Sequence, residues 1–75
     1  MNNNLNLKSS SSQNTAIAKF LEEGNTITSL LALKLFGCMR LASRISDLRM
    51  RGYNIQVSTI TLPNGKRVAE YKLNN

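Results

Sequence analysis

A chain of 75 residues with a single cysteine, Cys38, and no histidine excludes an intrachain disulfide and the usual zinc sets, so packing or self-association must hold its small core. The net charge of +6 is uneven, because residues 38–75 carry Arg40, Arg44, Arg49, Arg51, Lys66, Arg67 and Lys72 against only Asp47 and Glu70, a local balance of +5. Such a half suits a surface facing a polyanion, with plain solubility as the simpler reading.

The first eleven residues are an Asn/Ser-rich tract in which, after Met1, Leu5 and Leu7 are the only apolar residues, too few to offset the entropy of ordering it. Residues 1–11 are expected to be a disordered tail, and residues 12–75 a folded domain. The polar start, Met1 to Gln13, lacks the apolar centre of a signal peptide, and no run reaches membrane-spanning length. A reducing cytoplasm is the expected location.

Ser12 is the expected N-cap of a first helix running to about Glu23, with Ala16, Ile17, Phe20 and Leu21 on one face and Gly24 closing it. Thr26, Ile27 and Thr28 favour a very short extended segment. Thr28 can then cap a second helix, Ser29 to Phe36, whose expected core stripe is Ala32, Leu33 and Phe36. Leu30, Leu31 and Leu35 are apolar as well, and a helix apolar nearly all round is either buried or partnered.

Next comes Cys38 to Gly52, CMRLASRISDLRMRG, expected as a helix over residues 38–51. Leu41, Ile45 and Leu48 recur at i, i+4 and i+7, forming one apolar stripe. Arg40, Ser43, Arg44, Asp47 and Arg51 fall on the other side. A helix of about a dozen residues is roughly 18 Å long, and a face of guanidinium forks and small polar groups fits the duplex major groove, roughly 12 Å wide. This stretch reads as a recognition helix, bracketed by Gly37 for the preceding turn and Gly52 for its end.

After Gly52 the apolar period changes to two. Tyr53, Ile55, Val57 and Thr59 alternate, as do Ala69, Tyr71 and Leu73, with Pro63-Asn64-Gly65 between them. That tripeptide suits a type I turn with a G1 bulge. The register then sets Leu62 opposite Lys66, Val57 opposite Tyr71 and Ile55 opposite Leu73, with Ile55, Val57, Tyr71 and Leu73 on the core side. A two-residue Asn64-Gly65 loop would pair Val57 with Lys72 and bury nothing consistently. Ile60 and Val68 are left together on the outer face.

Helix, short strand, helix, turn, helix, hairpin is an α+β order. The residues Gly24-Asn25-Thr26-Ile27-Thr28, Ala32-Leu33, Phe36-Gly37-Cys38, the run from Arg40 to Arg49, Gly52-Tyr53, Gly65-Lys66-Arg67 and Tyr71-Lys72-Leu73 carry a resemblance covering about Ser12 to Leu73. The chain resembles the small winged helix-turn-helix domains of bacteriophage and prophage genomes. That resemblance implies three helices with a short strand and a C-terminal β-hairpin wing, and double-stranded DNA as partner, with the third helix in the major groove and the wing alongside. The chain departs from the family pattern at Leu31, where a glutamate tends to complete the N-cap box. The change removes a capping interaction and adds apolar surface, and similar domains also bind proteins.

The expected DNA-binding residues are therefore Arg40, Ser43, Arg44 and Arg51 on the helix, with Lys66 and Arg67 on the wing. Bidentate arginine to guanine is the commonest specific pairing, and the wing bases can reach phosphates or a minor groove. Asp47 is expected to orient Arg44 and Arg51 rather than meet DNA. Cys38 reads as a small packing residue. No acid pair, no nucleophile with its base and no phosphate-cradling glycine loop is recognisable, so no enzyme, cofactor or metal is implied. A phage regulator or recombination accessory factor is the leading reading. The second is a module that binds a host or phage protein through its apolar second helix. Leu30, Leu31, Leu35, Ile60 and Val68 are the expected protein interface, with a symmetric homodimer as the first expectation.

Overall fold

The computed structural model describes residues 9–74, so the part of the expected tail before Ser9 lies outside the described residues. The elements follow in the order α1 (Ser10–Glu22), β1 (Ile27–Thr28), α2 (Ser29–Phe36), α3 (Leu41–Met50), β2 (Ile55–Thr61) and β3 (Arg67–Leu73). Three helices pack on one antiparallel sheet of order β1-β3-β2.

The first helix begins earlier than its spacing predicts. Ser9, not Ser12, is the N-cap, and its Oγ accepts the Ser12 N–H at 3.0 Å. Ser9 to Ser12 are four equivalent capping residues in a row, so local chemistry cannot choose among them. Tertiary packing does. The longer helix buries Asn14, Ile17, Ala18 and Leu21, an i, i+3, i+4, i+7 stripe, while the expected face residues Ala16 and Phe20 are only half-buried.

Thr28 caps α2 as its sequence implies, its Oγ1 accepting the Leu31 N–H at 3.3 Å. The core stripe of α2 is rotated from the expected one. Ala32 is fully buried and Leu31 and Phe36 pack against the core, but Leu33 is exposed. Ser29 and Lys34 are the only polar residues of this almost entirely apolar helix, too few to fix its phase, so the contacts made by neighbours decide it. One of these contacts is the edge-to-face pair of Phe20 and Phe36, with centroids 5.6 Å apart, joining α1 to α2.

Between α2 and α3, residues 37–40 form the turn rather than the start of a helix over 38–51. Cys38 is buried and Met39 exposed. Arg40 is the N-cap of α3 by backbone alone, its carbonyl accepting the N–H of Ser43 at 3.1 Å and of Arg44 at 3.3 Å. Sinking Cys38 into the core breaks the helical path, and α3 starts only where Leu41 can also be buried. Leu41, Ile45 and Leu48 are buried as their spacing requires, beside Ile17, Leu21, Ile27 and Ile55.

The wing has the expected register throughout, including Ile55 with Leu73, Val57 with Tyr71 and Ile60 with Val68. Its turn closes with Leu62 N–H to Lys66 carbonyl at 2.7 Å and Gly65 N–H to Leu62 carbonyl at 2.8 Å. Gly65 sits at φ 88°, the left-handed position that the G1 bulge requires. One core assignment fails. Val57 is 53% exposed although it shares a face with Ile55, Tyr71 and Leu73. The central strand is β3, paired on one side with β1 through Ile27–Tyr71; β2 lies on the far edge, where the helices cover only its first residue, Ile55.

Candidate nucleic-acid interface

Helix α3 turns its Leu41–Ile45–Leu48 side inward, so at 100° per residue Ser43, Ser46 and Met50 project away from the core. Met50 and Ser46 are exposed and Ser43 is half-buried. Ser46 was not among the expected contacts, although its place opposite the apolar stripe was readable from the spacing. Arg40 and Arg51 are exposed at the two ends, about 16 Å apart along the axis. They bracket α3 rather than form one cluster.

Arg44 is placed differently from a free guanidinium. Its side chain is only 15% exposed, and its Nε and Nη2 both lie 3.1 Å from Asp47 Oδ2. The same oxygen accepts a bond from Asn14 Nδ2 at 3.2 Å, so one carboxylate ties the fork of Arg44 to α1. The expected orienting role of Asp47 is therefore realised for Arg44. Among the described residues no ion pair joins Asp47 to Arg51. Sequence reasoning missed Asn14, which is 3% exposed with Oδ1 lacking a partner; its signal was the first place of the stripe it shares with Ile17, Ala18 and Leu21.

Arg49 points elsewhere. Its Nη2 and Nε donate to the Ile55 carbonyl at 2.7 and 3.2 Å, fastening α3 to the start of the wing. On the other side, the Tyr53 hydroxyl donates to Glu22 Oε2 at 3.1 Å. This bond and the Glu22 charge raise the phenol above its ordinary pKa, with nearby Arg51 opposing the shift. Lys66 and Arg67 are exposed at the end of the wing, where Asn64 Oδ1 accepts the Lys66 N–H at 2.9 Å and holds the turn.

The expected apolar interface is brought together only in part. Leu30 is 69% exposed and lines, with Leu62 and Val68, a groove of about 270 Å³. Leu31, Leu35 and Ile60 are half-buried, and Leu31 packs against the core.

The order of elements, the α2–turn–α3 pair and the basic hairpin agree with the family comparison, in which a winged helix-turn-helix domain matches residues 12–75. The chain belongs to the winged helix-turn-helix family. No curated protein and no solved structure matches it. As a winged helix-turn-helix domain it has α3 in the recognition-helix position and β2–β3 as the wing, and this architecture suggests DNA binding. Among the described residues there is no group of side chains suited to hold a metal ion, and no helix long and apolar enough to cross a membrane.

Proposed function

We propose that this winged helix binds double-stranded DNA, with α3 in the major groove and the wing on the flanking backbone or minor groove. The supporting observation is that Arg40 and Arg51 are exposed at the two ends of α3, and Lys66 and Arg67 at the end of the wing. Arg40, Ser43 and Arg51 supply contacts along α3. Arg44 contributes through the part of its fork that Asp47 leaves free. Lys66 and Arg67 neutralise phosphates. The resemblance to phage and prophage domains extends the reading to a regulator of transcription or an accessory factor of recombination acting in a bacterial cytoplasm.

An electrophoretic shift with random and genomic duplexes at two salt concentrations tests the reading. Binding should weaken steeply with salt, since each neutralised phosphate releases condensed counterions. A folded protein that shifts neither duplex at low salt would refute it.

The groove formed by Leu30, Leu62 and Val68 favours a second reading, in which a host or phage protein inserts an apolar side chain there. Leu30→Glu should then abolish capture of that protein while leaving DNA binding intact.

A further inference from the structure

The free edge of β2 carries an inference that is independent of DNA binding. Its seven residues, Ile55–Thr61, include no charge, proline or glycine, whereas edge strands are ordinarily blunted by such residues.

The ladder decides which backbone groups face outward. Leu62 donates to Lys66, and Asn74 donates to Asn54, so in the register of the wing the even-numbered residues of β2 bond to β3 and the odd-numbered ones point away. Ile55, Val57, Thr59 and Thr61 therefore turn their N–H and carbonyl groups to the open side. The Ile55 carbonyl is already occupied by Arg49. Val57, Thr59 and Thr61 have no such partner among the described residues, and Val57 is exposed on the same strand.

We propose that this edge pairs antiparallel with β2 of a second copy, about a two-fold axis at Thr59. In that register Thr59 meets Thr59 of the second copy, and Val57 meets Thr61 in both directions, so each outward N–H and carbonyl of these residues finds a partner. Val57 beside Thr61 and Thr59 beside Thr59 are β-branched cross-strand pairs. The next outward pair sets Ile55 against Pro63, which has no N–H to give. The carbonyl that Pro63 would leave unpaired is the one Arg49 already satisfies. This match, with the absence of any charge that would meet its own kind across the axis, singles out a second copy as the occupant. Centring on Ser58 instead would bring Thr61 to Ile55, whose carbonyl is taken.

One strand pair buries less than the roughly 1,200 Å² of a stable complex, so pairing is weak and concentration-dependent. Amide hydrogen exchange read by NMR, from micromolar to millimolar protein, tests it. Gln56, Ser58 and Ile60 should be protected at every concentration. Val57, Thr59 and Thr61 should exchange freely when dilute and about tenfold more slowly once nine-tenths of the chains are paired. Thr59→Lys sets two ammonium groups opposite each other and should remove the concentration dependence, with protection of Ser58 reporting an intact wing. Free exchange at Val57, Thr59 and Thr61 in millimolar wild-type protein would overturn the proposal. Equal protection in Thr59→Lys would do the same, and neither result bears on DNA binding.

Discussion

Replacing Asp47 by alanine probes the junction between the recognition helix and α1. One oxygen of Asp47 accepts bonds from Arg44 and from Asn14. Asn14 is almost fully buried and its Oδ1 is already unpartnered, so losing the carboxylate leaves the whole amide without a bond, a penalty of about 1–3 kcal/mol. The ion pair adds less. Asp47 is 38% exposed, and solvent screening holds such pairs to about 1 kcal/mol or below. Alanine recovers about 0.5 kcal/mol of helix propensity. The net loss is about 2 kcal/mol, equivalent to a Tm lowered by about 8–16 °C in a domain of this size. Asp47→Asn keeps an oxygen for Asn14 and should lose under about 1 kcal/mol. Thermal and urea unfolding of the two variants, with Asn14→Ala closing a double-mutant cycle, provide the measurement. A coupling of about 1 kcal/mol is expected. Asp47→Ala within about 0.5 kcal/mol of wild type, or no more destabilising than Asp47→Asn, would refute the reasoning.

Gly65→Val should destabilise the wing by about 1–3 kcal/mol through backbone strain alone, because a Cβ at this position meets nothing within 4 Å. Gly65→Asn should be milder, since asparagine tolerates the left-handed region, and urea midpoints of the pair check this. The Tyr53 phenol is raised by its bond to Glu22, so its contribution to stability is complete below the unfolded value of about 10 and fades as pH rises through the higher folded value. Tyr53→Phe should remove that decline in urea melts run between about pH 9 and 11. Ile45→Ala, emptying a fully buried position in α3, should lower stability by about 2–5 kcal/mol in the same assay.

The wing was the most legible part of the chain, because Pro63-Asn64-Gly65 admits one turn that also puts Ile55 and Leu73 on the same face. The Thr28 cap was legible for a similar reason, with one capping residue standing at the boundary of a helical run. Where several residues had equal local merit, packing decided. The serines before Gln13 were interchangeable caps until Asn14 had to reach Asp47. Leu31 and Leu33 were interchangeable core residues in a helix whose only polar residues are Ser29 and Lys34, and Val57 followed the core pattern until the strand order placed β2 at the edge. Among the proposed contacts, the exposure of Arg40, Arg51, Lys66 and Arg67 agrees with their surroundings in sequence. The pairing of Arg44 with Asp47 was legible from their i, i+3 spacing, but the bond that ties Asp47 to Asn14 spans 33 residues, and no local pattern reports it.

Duplex affinity as a function of salt, measured by fluorescence anisotropy for the wild type and the Lys66→Ala, Arg67→Ala and Arg40→Ala variants, tests the central claim most directly. The logarithm of the binding constant should fall linearly with that of salt, at a slope of about −0.9 per phosphate contacted. Lys66→Ala and Arg67→Ala should each make the slope shallower by about one unit on every sequence, while Arg40→Ala should lose about 1–3 kcal/mol and relax sequence preference. Folded wild-type protein that binds neither genomic nor random duplex at about 50 mM salt, where even non-specific contacts are strong, would contradict the account.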